Sequence, residues 1–253
     1  MCHTLRRDHC GRWYLLVEFQ YDTDIQYKNR TAEVGIDLGL RTFAMLSDGL
    51  KINNPHIGIK YRRKLSACCS KIGCCHDYRA FLPAADKFWN LWERKYDKER
   101  NFIHQVTRSL VNSYDVFYVE DLDVEKLLSK NENNRELSLQ IMDSRWRLFI
   151  STLTYKAAGA GKRVILVNPA NTSQICSNCG AVVKKVLNDR QHVCPQCGLS
   201  IDRDLNAARN ILRRGARRAS KRANAPERSS QTLFSPELIK ELTDKYKHLF
   251  GTL

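Results

Sequence analysis

The stretch Val34–Gly49, VGIDLGLRTFAMLSDG, predicts a buried strand, a tight link and a second strand. Alternate side chains of a strand point to opposite faces, so the first strand has an apolar face and a face of glycines and one acid. These residues are Val34, Ile36 and Leu38 on one face and Gly35, Asp37 and Gly39 on the other. The glycines leave room for another element to approach closely. Because a buried carboxylate is costly unless it is paired or binds a metal, we expect Asp37 to meet partner groups from elsewhere in the chain.

The composition of the chain points to a polyanionic partner. The 253 residues carry a net charge of +15 and are 43% hydrophobic, which is enough for one large domain with a proper core. Such a charge favours nucleic acid or an anionic membrane surface as the partner. No apolar run approaches the roughly 20 residues that span a bilayer, and the first residues lack the apolar core of a signal peptide. We therefore expect a soluble protein that binds nucleic acid and no membrane.

The periodicity of the rest of the chain predicts an α/β sheet, because strands come first and helices then alternate with strands. Further strands are predicted at 11–20, 115–119 and 162–167, and helices at 60–112, 138–158, 202–214 and 236–250. The predicted apolar anchors of the long helices include Trp92 and Met142. A polar stretch at 129–138 is predicted to be a loop, and the strand at 11–20 has little before it to pair with.

Four cysteines have the spacing of a zinc ribbon. Cys176 and Cys179 form one CxxC pair, and Cys194 and Cys197 form a second pair after 14 intervening residues. Each pair can place two thiolates within about 4 Å of each other, and tetrahedral zinc takes four such ligands. Four cysteine ligands leave no open position, so a structural zinc is expected. The alternative is four unrelated buried cysteines, and His192, which is superfluous as a ligand, is expected to be solvated.

A second cysteine cluster, CCSKIGCC at 68–75, fits no common metal site. Disulfides are not expected in a chain without a secretion signal. Free thiols are the favoured interpretation of Cys68, Cys69, Cys74 and Cys75, with a second metal site as the alternative.

Two further acids could join Asp37. Glu120 ends a predicted strand, and Asp204 shares a helix face with Ala207, Ala208 and Ile211, whose small or apolar side chains let the helix approach a sheet. Asp202 is predicted to cap that helix instead. Three converging acids could bind two Mg²⁺ or Mn²⁺ ions, about 4 Å apart, that act on a phosphodiester. Taken singly, each acid also fits a strand end, a loop start or a helix N-terminus.

Four motifs in this sequence closely resemble the TnpB/OrfB proteins of insertion sequences. They are VGIDLGLRTFAMLSDG, VFYVEDLDVEKL, NTSQICSNCG and CPQCGLSIDRDLNAARNIL, within a resemblance that covers roughly residues 11–214. That family consists of RNA-guided DNA endonucleases related to type V CRISPR effectors and the eukaryotic Fanzor proteins. The resemblance implies an RNase H-like (RuvC-like) mixed sheet with flanking helices and an inserted zinc ribbon, which cuts DNA with two metal ions.

The resemblance also implies roles for individual residues. By position, Asp37, Glu120 and Asp204 match the catalytic, magnesium-binding acids, and the four cysteines of the ribbon match its zinc ligands. It implies DNA and a guide RNA as partners, and a cytoplasmic, nucleoid-associated location, or a nuclear one in a eukaryotic host. Family members usually carry a helical recognition lobe and a β-barrel before the nuclease strands, so the resemblance implies an N-terminally truncated member.

The implied division of the chain has five parts. They are the remnant of an N-terminal β-barrel (wedge) domain at 1–30, the first part of a RuvC-like nuclease domain at 31–171, the zinc ribbon at 172–200, the last RuvC-like helix at 201–214 and a basic C-terminal tail at 215–253.

Two other functions remain open on the sequence. A nucleic-acid-binding protein of this fold that no longer cuts would keep the basic charge and its salt-sensitive affinity. A resolvase acting on branched DNA would share the acids, although the ribbon between the second and third acids argues against it. The basic runs Arg62–Lys71 and Arg213–Arg222 are expected to contact phosphates, with a solvated tail as the alternative for the second.

Overall fold

The computed structural model describes residues 3–7, 11–17, 32–75, 77–184 and 189–223. The chain divides into two compact units, Met1–Ala216 and Arg217–Leu253. Of the second unit the structure describes residues 217–223, which are helical. The predicted helix at 236–250 lies outside the described residues, and everything below concerns the first unit.

A five-stranded mixed sheet forms the centre of the first unit, in the order β5-β4-β3-β6-β7. Its strands are β3 (Glu33–Leu38), β4 (Thr42–Leu46), β5 (Lys51–Asn53), β6 (Val116–Glu120) and β7 (Arg163–Val167). The first three strands form an antiparallel meander, whereas β6 and β7 run parallel to β3. The chain reaches β6 and β7 only through helical connections, as parallel pairing requires. The four strands predicted in this region are confirmed as β3, β4, β6 and β7, and β5 is an addition.

Six helices surround the strands in the described part of the chain. They are α1 (Ile57–Gly73), α2 (Tyr78–Ser113), α3 (Val124–Lys130), α4 (Arg135–Asp143), α5 (Trp146–Gly159) and α6 (Arg203–Ala223). The predicted helix at 138–158 is broken after Asp143, because Arg145 takes a left-handed conformation with φ of 53°. Its guanidinium donates to the buried carboxylate of Glu99 on α2, with Nε 2.9 Å from Oε2.

Two small antiparallel sheets complete the description. The strand predicted at 11–20 is present as β2 (Trp13–Val17), and it does have a partner, β1 (His3–Arg7). In the ribbon, β8 (Gln191–Val193) pairs with β9 (Ser200–Asp202). An isolated bridge joins Ile175 to Val182.

The apolar face of β3 builds the main core. The side chains of Val34, Ile36 and Leu38 are buried against residues of α2, α4 and α5. The neighbouring strand β6 contributes Phe117 and Val119 to the same core. On the opposite face of the sheet, a smaller cluster joins α6 to β6 and β7. The strand alternation predicted from the sequence therefore holds, and α6 covers the face that carries Asp37.

Three expectations about the helices are wrong. The stretch 129–138 is mostly helical, with α3 and α4 separated only by a turn at 131–134. Met142 is 59% exposed, because α4 turns its neighbour Ile141 toward the core instead. Trp92 is 42% exposed, and the ammonium group of Lys95 lies over its ring at 5.5 Å from the centroid.

The architecture is the mixed α/β fold with flanking helices that the RuvC-like resemblance implies. None of the helices in the described ranges combines the length and apolar composition that a bilayer crossing requires.

Candidate active site and metal centre

Strand register brings Asp37 and Glu120 together. The parallel strands β3 and β6 pair Gly35 with Tyr118 and Ile36 with Val119, so the next step along each strand sets Asp37 beside Glu120. Both side chains lie on the α6 face of the sheet, and adjacent strands are about 4.8 Å apart. The two carboxyl groups therefore come from sequence positions 83 residues apart and form one edge of the site.

Gly35 lets α6 lie directly on β3. A Cβ atom at this position would come within 2.2 Å of the carbonyl oxygen of Ala208 and 2.6 Å of the backbone nitrogen of Leu212. Farther along α6, a Cβ at Gly215 would come within 2.0 Å of the Tyr118 ring on β6. The close approach expected from the glycine beside Asp37 is thus made by α6 itself.

The third acid, Asp204, stands in the first turn of α6. Asp202 caps this helix, since its Oδ1 accepts hydrogen bonds from the backbone nitrogens of Asp204 (2.8 Å) and Leu205 (3.3 Å), as predicted. Ala207, Ala208 and Ile211 are buried on the sheet side of the helix, also as predicted. A carboxylate at a helix N-terminus is stabilised by the helix dipole.

The three acids share one electrostatic environment. Burial raises the pKa of Asp37 well above its ordinary value, and the negative charges of Glu120 and Asp204 raise it further. The positive charge of Arg203 lowers the pKa of the same carboxyl group. The pKa of Glu120 is also raised by burial, against the lowering effects of a hydrogen bond from Thr172 and the charge of Arg214. Mutual repulsion of this kind is what a bound cation would relieve.

Hard oxygen donors of this type suit Mg²⁺ or Mn²⁺. The three acids do not form a group whose ligand atoms all lie within 4.8 Å of one another. In a site with two ions about 4 Å apart, each ion would take only part of the set of acids. The donor chemistry and the repulsion at Asp37 therefore fit a two-ion site.

Sequence reasoning missed Thr172 as a site residue. Its hydroxyl donates to Oε1 of Glu120 at 2.6 Å, and both side chains are buried. Thr172 lies in the segment that leads from β7 to the first cysteine pair. The polar run TSQ lies between a strand end and a predicted metal ligand, which marks it as a candidate part of the site. The sequence alone does not indicate that Thr172 bonds to Glu120.

The four ribbon cysteines form a ready metal centre. Their Sγ atoms all lie within 4.8 Å of one another. Cys176 and Cys197 are 3.7 Å apart, and Cys179 and Cys194 are 3.6 Å apart. A tetrahedron with Zn–S bonds of about 2.3 Å has edges of about 3.8 Å, so the thiols fit zinc. Gly180 and Gly198 follow the two pairs with φ of 84° and 71°, the left-handed turn that glycine permits.

His192 does not behave as predicted. It is fully buried rather than solvated, because the pairing of β8 with β9 turns its side chain inward. The other cysteine cluster sits at the end of α1, where Cys68 is buried and Cys69 and Cys74 are exposed. Within the described residues this cluster forms no group with metal-ligand spacing.

The basic runs are only partly available to phosphates. Arg62 is held by Glu136 and Asp143, with its nitrogens 2.7 Å and 3.4 Å from their carboxylate oxygens. Arg63, Lys64 and Lys71 remain exposed. The second run begins inside α6, where Arg214 contacts backbone carbonyls of the loop after β7.

Two family models match the chain. Residues 15–131 match the OrfB_IS605 model, described as "Probable transposase", and residues 146–211 match the model "Cas12f1-like, TNB domain". Together they take in the strands of the central sheet, the ribbon and the first part of α6.

Known proteins with similar sequences carry related names. A Streptomyces pristinaespiralis protein named "Putative RNA-guided DNA endonuclease" is 33% identical over 219 residues, which are 84% of this chain and 52% of the relative. The Escherichia coli K12 protein "Putative RNA-guided DNA endonuclease InsQ" is 28% identical over 81% of this chain and 54% of its own length. The chain thus spans about half the length of these curated relatives.

A solved structure with a related arrangement is that of a Cas12f1 protein with its sgRNA and target DNA. It is 17% identical, with a TM-score of 0.49, over 82% of this chain and 55% of the other. The family models and the curated relatives agree with the motifs quoted from the sequence. On that agreement, the chain belongs to the TnpB family of transposon-associated proteins.

Proposed function

We propose that this protein is a metal-dependent DNA endonuclease of the TnpB type, with Asp37, Glu120 and Asp204 as its catalytic acids. The observation that carries the proposal is the strand register that sets Asp37 beside Glu120, on the sheet face where α6 lies against Gly35 with Asp204 in its first turn. In keeping with this geometry, the charges of Glu120 and Asp204 both raise the pKa of Asp37. Three acids from distant segments thus act on one another inside a protein of net charge +15. Carboxylates that repel one another until a cation binds between them are expected in a metal-binding nuclease centre.

The chain's own residues would hold two Mg²⁺ or Mn²⁺ ions between the sheet and the start of α6. Asp37 and Glu120 supply ligands from adjacent strands, and Asp204 supplies the ligand from the helix. The chemistry that two such ions would supply is activation of a water molecule and stabilisation of the leaving 3′ oxygen of a phosphodiester. The close contact of α6 with β3 at Gly35 holds the helix against the strand that carries Asp37.

The ribbon at 172–200 would carry one structural zinc on Cys176, Cys179, Cys194 and Cys197. We further assign 31–171 and 201–214 to the RuvC-like nuclease, 1–30 to the remnant of a barrel, and 215–253 to a basic tail. These boundaries follow the positions of the motifs in the sequence.

DNA and a guide RNA are the proposed partners, which implies a cytoplasmic, nucleoid-associated location in a bacterium or a nuclear one in a eukaryote. The support is the basic charge of the chain together with the names of its relatives. Analysis of the nucleic acid that co-purifies with the protein tests whether a guide RNA is bound. A discrete RNA with a defined 3′ end is expected, and a heterogeneous pool would contradict guidance.

Cleavage of single-stranded DNA with Mg²⁺ tests the enzyme activity directly. Wild type should cut, and Asp37→Ala should not, while both bind DNA equally well. Equal binding with no cleavage by either protein would instead identify a non-cleaving nucleic-acid-binding protein. A strong preference for branched over linear DNA would identify a resolvase.

A further inference from the structure

We propose that Thr172 is a positioning residue for the Glu120 carboxylate, and that α6 holds it there through a ladder of three polar side chains. The ladder consists of Asn206, Asn210 and Arg214. Through it the ribbon and the acid site form one hydrogen-bonded unit. The inference rests on the proposed function, because Glu120 matters as a metal ligand.

The first step is the contact between Thr172 and Glu120. A threonine hydroxyl has one proton to donate, and two acceptors lie near it: Glu120 Oε1 at 2.6 Å and the carbonyl oxygen of Pro169 at 3.1 Å. The carboxylate is nearer, and charged acceptors make the shorter and stronger bonds. Within the described contacts this bond engages only Oε1, so Oε2 stays available to a cation. Thr172 thus sets the direction in which Glu120 presents its remaining oxygen.

The second step is the loop that carries Thr172, residues 168–175. It consists of turns with their own backbone hydrogen bonds and ends in the β-bridge between Ile175 and Val182, and α6 adds hydrogen bonds from outside the loop. Asn210 Nδ2 donates to the carbonyl oxygens of Thr172 (2.9 Å) and Ile175 (2.6 Å). Arg214 Nη1 donates to those of Asn168 (2.6 Å) and Ala170 (2.8 Å). Both ends of the loop are therefore held by one helix.

The third step links the loop to the ribbon. Asn206 Nδ2 donates to the carbonyl oxygen of Ile175 at 2.8 Å, and its Oδ1 accepts from the backbone nitrogen of Ser177 at 2.9 Å. These two bonds flank Cys176, a proposed zinc ligand four residues after Thr172.

The spacing of the ladder explains how one helix can do this. Asn206, Asn210 and Arg214 are four residues apart in succession and so lie on one face of α6. Asn206 and Asn210 are buried, and each has its amide used by backbone groups of the loop or the ribbon. The same helix carries Asp204, two residues before Asn206. Glu120 and Asp204 are therefore positioned by one element.

Thr172→Val and Thr172→Ser separate positioning from packing. Valine keeps the shape without the hydroxyl, and serine keeps the hydroxyl. Mn²⁺ titration followed by electron paramagnetic resonance, on zinc-loaded full-length protein without nucleic acid, measures the acid site by itself. Outer partners of metal ligands typically change affinity by 10–100-fold. We expect Thr172→Val to weaken Mn²⁺ binding at least about tenfold, and Thr172→Ser to stay within about threefold of wild type.

Cleavage kinetics add a second readout. Thr172→Val should lower kcat by about 10–100-fold with KM for single-stranded DNA nearly unchanged. Asn210→Ala should act in the same direction, with zinc content unchanged. If Thr172→Val binds Mn²⁺ as tightly as wild type, whereas Glu120→Gln no longer binds it, the positioning role of Thr172 is overturned and the proposed function stands. If wild type and Glu120→Gln bind Mn²⁺ equally, the proposed function itself fails.

A measurement on wild type covers the case in which Thr172→Val does not fold. Hydrogen exchange of peptides covering 168–177 should slow when Mn²⁺ binds, because fixing Glu120 also fixes Thr172 and its loop. Unchanged exchange in these peptides at saturating Mn²⁺ would overturn the proposal.

Discussion

The two faces of the central sheet are built from the same strands and differ in almost everything else. On one face β3 and β6 present only apolar side chains, which are buried under α2, α4 and α5. On the other face the same two strands present glycine, tyrosine and two acids, against α6. The residues are Val34, Ile36, Phe117 and Val119 on the first face and Gly35, Asp37, Tyr118 and Glu120 on the second.

The apolar face of the sheet supports a second face on which carboxyl groups repel one another. Side chains alternate along a strand, so one step in sequence separates a core residue from a site residue. The apolar face supplies the burial that stabilises the fold. The other face can then hold carboxyl groups whose charges oppose each other.

The largest expected effect is on activity. Asp37→Asn should lower Mg²⁺-dependent cleavage of DNA by about 10³-fold or more, because it removes a ligand of the ions that would stabilise the transition state. Asp86→Asn, which changes an exposed acid on α2, is the matched control and should cut like wild type. If the two variants cleave DNA at equal rates in a time course, Asp37 has no part in catalysis.

Next in size is the loss of the ribbon metal. Cys176→Ser should reduce bound zinc from about one ion per chain to almost none, since structural zinc needs all four thiolates. Elemental analysis of the purified protein measures this. Cys69→Ser, in the exposed part of the other cysteine cluster, should leave zinc content unchanged. A drop in zinc for Cys69→Ser would show that the second cluster also binds metal.

A smaller effect is expected where the helix meets the acid face. Gly35→Ala places a methyl group against the backbone of α6 at Ala208 and Leu212. The free energy of unfolding should fall by roughly 1–3 kcal/mol, as for other overpacked positions. Gly73→Ala is the control, because a Cβ there meets nothing within 4 Å. Urea unfolding compares the two, and an equally stable Gly35→Ala would contradict the close packing of α6.

The smallest effect concerns the charge on Asp37. Its raised pKa means that the folded protein holds this proton more tightly than the unfolded chain does. The free energy of unfolding therefore falls as pH rises from the ordinary aspartate pKa, about 4, through the raised value. Without Mg²⁺ or Mn²⁺ at neutral pH, Asp37→Asn should melt higher than wild type, by about 2–4 °C for each kcal/mol of repulsion removed.

The control for the melting-temperature prediction is the same measurement with Mg²⁺ added. The ion should raise the melting temperature of wild type and leave Asp37→Asn almost unchanged, since binding to the folded state stabilises it. Asp37→Asn melting below wild type in metal-free buffer would contradict the repulsion between the acids.

Local patterns were sufficient for the parts of the molecule with a strong period or a fixed ligand spacing. The alternation around Asp37, the buried strand ending at Glu120 and the cap at Asp202 all follow from short-range rules, and the structure has them. The CxxC pairs are similar, because metal chemistry limits the spacing of their ligands.

Features that depend on contacts between distant segments were missed. The helix predicted at 138–158 breaks at Arg145, whose guanidinium reaches Glu99 on another helix. His192 is buried because β8 pairs with β9. The role of Thr172 depends on its distance from Glu120, which lies 52 residues earlier in the chain.

The sequence by itself determined which residue types stand at each face of each strand, and which four thiols can share a metal ion. Only the tertiary structure decided that β3 and β6 are neighbours in the register that sets Asp37 beside Glu120, and that α6 lies over them. The physical reason is range. Alternation and ligand spacing act over a few residues, whereas register and helix docking are set by the packing of the whole domain.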